Sequence, residues 1–355
     1  MKNNKKISVV LLTAVVAIAF STSCRKDKDA SITFNATKGI CIVDQGAYDK
    51  VNAGISFLDT TSKIMTNNIF FKVNGRGLGD VAQSIGAANG LYYIVVNNSN
   101  KIEVVNKTTF QSTAIIQGVN QPRYFLAVNN TKAYVTEWGF SGTGQVDVIN
   151  LSNNTISKKI PVGNGAENLL MVDNKVYVVN SGGDLYDNTI SVINTLTDQV
   201  DTTITVGDNP NSLVMDANGK LWVLCGGKWN TNYTVLTNGT LVRINSQTNA
   251  IEQTFQLAKP YKSTTNLITD PSKTTLYYCI DGKVYTQNIS AANAASTPTL
   301  NGNFYGIFID KGSSYFYAAD ARGFSGNGWV IRYHLNFTPI DSFQVGVGPS
   351  FFYAD

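Results

Sequence analysis

Histidine is almost missing from this chain: its 355 residues include one, His334. A single histidine excludes multi-histidine metal sites and leaves no Ser/His/Asp set beyond His334 itself. Cysteine is scarce too, with four in all, and neither a CxxC nor a Cys/His spacing of the zinc kind occurs. Charged residues make up only 15%. Long hydrophobic runs are lacking: Ile7 to Phe20 is shorter than the roughly 20 apolar residues of a membrane span. The glycines of GRGLG at 75–79 imitate a dinucleotide loop, but no helical pattern follows, and they are read as linker glycines.

The N-terminal run has the length of a signal peptide, with Lys2, Lys5 and Lys6 as its positive start. Residues 1–23 are therefore expected to be a signal segment. Ser21-Thr22-Ser23-Cys24 resembles the lipobox of bacterial lipoproteins, which implies Cys24 as a lipid-modified first residue. Acidic residues in Arg25–Asp29, interleaved with lysines, resemble the surface-export signal of Bacteroidetes lipoproteins. Residues 24–38 then form a lipidated tether, with the chain held on the outer membrane and exposed at the cell surface. The formal charge is +4, but three lysines of that sum lie in 1–23, leaving +1 for the mature chain. No basic block interleaved with aromatics is present, so a nucleic-acid partner is not expected, and membrane contact is through the lipid only.

What the chain does have is repetition. AYVTEWG…GQVDVINLSNNTISKKIPVG is followed by VYVVNSG…NTISVINTLTDQVDTTITVG, and Asn150 and Asn194, like Gly163 and Gly207, are 44 residues apart. A period in the forties built from short β-branched and aromatic runs is that of a β-propeller blade. Second strands are readable at 40–45, 91–97, 133–138, 176–180, 221–225, 275–280 and 315–320, giving an all-β, seven-bladed propeller over 39–355. Asn106, Asn150, Asn194 and Asn245 hold one turn position, where asparagine bonds its own chain and tolerates left-handed backbone. His334 falls at that position in the last repeat. The first repeat has no inner strand, and the last seven residues supply one, so the C-terminal strand should close the ring. Cys41, Cys225 and Cys279 sit in second strands as small buried hydrophobes rather than disulfide partners. A monomer is expected.

The YVTEWG…VDVIN…IPVG and YVVNSG…ISVIN…ITVG copies closely resemble the YVTN-type surface-layer propeller repeat, most clearly in the third and fourth repeats. The resemblance implies fold more than function. Long loops between second and third strands share one face, at 46–54, 138–144, 181–189, 226–239 and 321–328. They supply Tyr48, Trp138, Phe140, Tyr186, Asp187, Trp229, Tyr233, Arg322 and Phe324 as candidate ligand contacts. The linkers between blades add Arg76, Arg123, Tyr124, Tyr261 and Tyr305. Such aromatic and polar residues suit a flat or amphipathic ligand.

Asp80, Glu137, Glu167, Asn168, Asn209 and Asn266 are the inward candidates for a lactonase-like metal centre. No paired-carboxylate pattern recurs among them, so no cofactor, metal or catalytic residue is assigned. The chain is also similar to Bacteroidetes propeller lipoproteins that bind cobalamin beside the vitamin B12 TonB-dependent transporter. That similarity implies corrinoid capture for an outer-membrane transporter. A glycan- or siderophore-binding module, an envelope protein-interaction propeller and a lactonase-like enzyme remain the alternatives.

Overall fold

The computed structural model describes Phe34 and residues 38–139, 143–183, 185–258 and 264–354. Cys24, Phe140 and Tyr261 lie outside the described residues.

Seven antiparallel sheets form the blades, six of four strands and one of three. Their second strands are Gly39–Asp44, Leu91–Val96, Lys132–Glu137, Lys175–Asn180, Lys220–Cys225, Thr275–Ile280 and Tyr315–Asp320, within one residue of the sequence expectation at nearly every end. Each is buried along almost its whole length. A strand buried on both faces reads as a continuous apolar run, which is why these segments stand out in the sequence. The C-terminal strand Pro349–Ala354 pairs antiparallel with Gly39–Asp44, Ile42 opposite Phe352. The ring is thus closed by its last strand, which covers the inner edge of Gly39–Asp44.

The hydrophobic interior is distributed rather than central. Seven clusters of buried side chains are found, one between each pair of neighbouring blades. Each second strand contributes to both of its flanks: Tyr93 and Val95 face the third blade, while Tyr92, Ile94 and Val96 face the first. Burial is therefore nearest-neighbour, and a chain of this size needs no single large core. Cys41, Cys225 and Cys279 form no disulfide among the described residues and are buried within three of these clusters. Burial pushes the Cys225 and Cys279 thiols up to about 12, as expected of packing residues.

The turn asparagines behave partly as expected. The Oδ1 atoms of Asn106, Asn150, Asn194 and Asn245 accept the backbone N–H two residues on, at 2.9–3.0 Å. The left-handed residue, however, is not the asparagine but the one four positions later: Phe110, Asn154, Asp198 and Asn249. Its N–H donates back to the asparagine carbonyl at 2.8–2.9 Å, closing the turn. His334 also lies in a turn, its carbonyl accepting from Phe337 and its ring against Tyr315.

Three features went unforeseen. Ile69–Asn74 is a short helix that buries Ile69 and Phe70, and Gly75, left-handed at φ 65°, caps it. The insertion at 226–239 folds into its own ribbon, Lys228–Trp229 against Val235–Thr237. The sixth blade has three strands, its outer edge reduced to a bridge between Val284 and Leu300.

Candidate functional site

All seven inner strands share one irregularity. Near its first residue each carries a β-bulge, where the pairing register with the second strand shifts. The residues that the ladder skips are Ser350, Gln83, Arg123 with Tyr124, Glu167 with Asn168, Asn211, Asn266 with Leu267, and Tyr305. A bulge leaves its extra residue without a cross-strand partner and re-aims the side chain. All ten of these residues line one cavity of about 440 Å³, joined by Gln45 and Trp138 from the loops above and by Phe308, Phe351 and Phe352. The pocket is the mouth of the central channel, and the bulges build it.

Its chemistry centres on one ion pair. The Arg123 guanidinium meets the Glu167 carboxylate through Nε at 3.1 and 3.0 Å and Nη2 at 2.6 Å. The Trp138 indole N–H donates to Glu167 Oε2 at 2.5 Å, and the guanidinium carbon lies 4.1 Å from the Trp138 ring centroid. Burial would lower the Arg123 pKa, and Glu167 more than offsets it, so the guanidinium stays above its ordinary value. Burial raises the Tyr124 and Tyr305 phenols, which therefore stay neutral. Gln83 Nε2 donates to the Tyr124 hydroxyl at 3.3 Å, and Asn266 Nδ2 to the Tyr305 carbonyl at 3.3 Å. The lining is electrically neutral overall: one internally paired Arg–Glu, two phenols and a set of amides.

Among the described residues Glu167 is the only acid of the lining. Four hydrogen-bond contacts occupy its two oxygens, which fills the acceptor positions of a carboxylate. It is held as a structural counter-ion and not as an uncommitted base.

The sequence-selected residues divide by location. Arg123, Tyr124, Trp138 and Tyr305 meet in the channel mouth, with Glu167, Asn168 and Asn266. Tyr186, Trp229 and Tyr233 meet elsewhere, with Asn209, in a cleft between the fourth- and fifth-blade loops. Phe324 packs edge-on against Tyr305 at 5.1 Å, behind the channel wall. Tyr48 is 69% exposed and touches neither pocket. Arg322 is exposed, its N–H bonded to Asp320.

Arg76 and Asp187 serve the framework. Arg76 pairs with the buried Glu103 at 2.5 Å and lies over Phe70. Asp187 accepts from Asn164 N, Asn188 N and the Thr189 hydroxyl at 2.6–2.8 Å, which shapes its loop. Glu137 is fully buried inside the third blade beside Asp147, outside the channel. Asp80 bonds Asn98 and the Asp49 N–H.

Gln45, Gln83, Asn211 and Ser350 escaped the sequence reading. Three of the bulge residues follow a proline, in Pro122-Arg123, Pro210-Asn211 and Pro349-Ser350. Aligning the inner-strand starts on that proline exposes these three positions of the ring.

Comparison with solved structures places the fold. A quinonprotein alcohol dehydrogenase-like protein of Bacteroides thetaiotaomicron is similar at 15% identity and TM-score 0.66, over 90% of this chain and 79% of its own. The periplasmic gluconolactonase of Pseudomonas aeruginosa is similar at 11% identity and TM-score 0.66, over 90% and 99%. Hydrazine synthase of Kuenenia stuttgartiensis gives 15% identity and TM-score 0.61, over 77% and 92%. Identities this low establish the propeller and nothing of its chemistry. No curated protein matches the chain. A family profile described as "Domain of unknown function (DUF5074)" matches residues 38–331.

Proposed function

Starting from the chain's membership of the DUF5074 family, we propose that it is a ligand-capture propeller whose channel mouth takes an uncharged, polar small molecule. The observation that carries this reading is the ring of bulge residues. Seven strands each present a side chain to one cavity, and the resulting lining is neutral, amide-rich and flanked by aromatic rings. Rings supply contact area, and amides and phenols fix orientation by hydrogen bonds. Because the one carboxylate is committed to Arg123 and Trp138, the site supports binding better than hydrolysis.

A corrinoid is the first ligand to test. Its amide-bearing margin fits a wall of Gln83, Asn168, Asn211 and Asn266, with the macrocycle resting outside across the loop face. With the lipobox-like Cys24, this makes the protein a lipid-anchored surface receptor that passes its ligand to an outer-membrane transporter.

Absorbance titration of the full chain with cyanocobalamin is the direct test. Saturable binding that weakens at least tenfold in Asn211→Ala or Gln83→Ala supports the reading. A folded protein that ignores micromolar cyanocobalamin removes the corrinoid, and steady turnover of an aldonolactone that depends on Glu167 replaces capture with catalysis.

A further inference from the structure

The loop face holds a second built cleft, separate from the channel mouth. Its volume is about 490 Å³, and Tyr186, Asn209, Trp229, Asn230 and Tyr233 line it. Two loops make it. The 226–239 ribbon supplies one wall, and the Tyr186 hydroxyl accepts the Trp229 backbone N–H at 3.3 Å, tying the 181–189 loop to the ribbon. Lys228 covers Tyr186, its Nζ 5.2 Å from the ring centroid, so that wall is braced rather than loose.

Two lining residues, Tyr233 and Asn209, hold left-handed backbone at φ 57° each. For a tyrosine that conformation is disfavoured, and it persists only where the surroundings enforce it. The Asn209 and Tyr233 N–H groups are anchored to Asp187 O and Asn230 O. Asn230 Oδ1 is spent inside the ribbon, accepting from Asn232 N and Thr234 N, which leaves its Nδ2 for donation. The Trp229 indole N–H is buried and has no acceptor among the described residues.

Yet the aromatics are not there to fill a core: Tyr233 is 70% exposed and Tyr186 39%. Among the described residues the lining includes no acid and no base. Exposed aromatic faces set beside amide donors match one ligand class well. A sugar offers a C–H face for the rings and hydroxyls for the amides.

We infer that this cleft is a binding site for a neutral oligosaccharide, independent of the ligand in the channel mouth. Trp229 and Tyr233 stack on sugar rings, and Asn209 and Asn230 bond their hydroxyls. The site would hold the receptor on a glycan-rich surface, or hold a glycan for it, whatever the channel binds.

The test is titration of the full chain with cellotriose and, in parallel, triacetylchitotriose, read by calorimetry and tryptophan fluorescence. Saturable binding of either sugar is expected, weakened at least tenfold in Trp229→Ala and in Tyr233→Ala and unchanged in Gln83→Ala of the channel, which lies away from the fourth- and fifth-blade loops. Circular dichroism verifies that each variant is folded, and Tyr233→Phe should retain binding. Failure of both sugars at millimolar concentration with folded protein overturns the inference. So does binding that survives Trp229→Ala, or a dimer by sedimentation that Trp229→Ala dissolves. Because the channel variant is carried alongside, loss of cyanocobalamin binding there leaves this result unaffected.

Discussion

The phenolic oxygen of Tyr177 lies 2.8 Å from Oδ1 of Asn249 and 2.6 Å from the Ser246 carbonyl, both in the following blade. The same latch joins Tyr93 to Asn154 at 3.0 Å and Tyr134 to Asp198. The tyrosine is the third residue of its second strand, and its acceptor is the left-handed turn residue of the next blade. Two signatures of the repeat, the strand tyrosine and the polar residue closing the turn, are thus halves of one contact. In the fifth blade Trp222 stands at the tyrosine position and donates within its own blade, to Asp216 at 2.8 Å.

Removing the hydroxyl should loosen the joint without emptying it. Tyr177→Phe is expected to cost about 1–3 kcal/mol, since Asn249 Oδ1 and the Ser246 carbonyl lose a buried donor. Denaturant unfolding measures this. A double variant with Asn249→Ala should be clearly less than additive, and full additivity would deny the coupling.

Ring closure should dominate stability. Phe352, buried and stacked on Phe308 at 5.6 Å between centroids, is expected to cost about 3–5 kcal/mol as Phe352→Ala. Deleting Pro349–Ala354 leaves Gly39–Asp44 without its inner partner, and the soluble, folded fraction should collapse. A truncated chain melting like the full one would show that the closing strand is dispensable.

Stability should fall as pH rises from about 4 to 8. Burial lifts Asp44 to about 7, against the opposing hydrogen bonds of Ser56 and Gly346. Burial, with Asp147 as a second cause, lifts Glu137 to about 8. The folded protein therefore keeps protons that the unfolded chain has already released, and the slope is negative across that window. At the acid end the sign reverses: burial would raise Glu103, but Arg76, Ser112 and Lys101 hold it below its ordinary value, so its protonation removes stability. Unfolding curves at pH 4, 6 and 8 check this, and Asp44→Asn with Glu137→Gln should flatten the upper limb.

The Arg123–Glu167 pair should prove essential to the architecture of the channel mouth. Both side chains are largely buried. Glu167→Gln leaves a buried guanidinium without a counter-charge, at a cost of about 3–5 kcal/mol. Asn211→Ala, which removes neutral hydrogen bonds to Asn209 and Ser212, should cost about 1 kcal/mol. Differential scanning calorimetry separates them, and equal effects would contradict the assignment of Glu167 as counter-ion.

Much of this was legible beforehand, and for a physical reason. The second strands are apolar on both faces, and Asn150 and Asn194 recur in register, so blade number and ring closure could be read from Ile40 to Ala354. The left-handed residue was misplaced by four positions, because asparagine chemistry marks where a turn begins, while Phe110 and Asp198, where it ends, share no residue type. Arg123, Tyr124 and Tyr305 could be found because they are conspicuous. Asn211 and Ser350 are marked only by the proline before each, and Gln83 carries no mark at all, since only the bulge brings it into the cavity, and a bulge is a property of two strands together. Arg76 looked like a site residue for the same reason Arg123 did, and only its partner Glu103 tells them apart.

Each inner strand sets aside one or two positions that the ladder beside it skips. Where such a side chain has no ion pair to maintain, as at Gln83, Asn211 and Ser350, neutral hydrogen bonds hold it, and its identity is coupled to folding less tightly than that of Arg123 or Glu167. Recognition can then be rewritten blade by blade over evolutionary time, like the wards of a lock recut one at a time, while the frame that carries them stays the same.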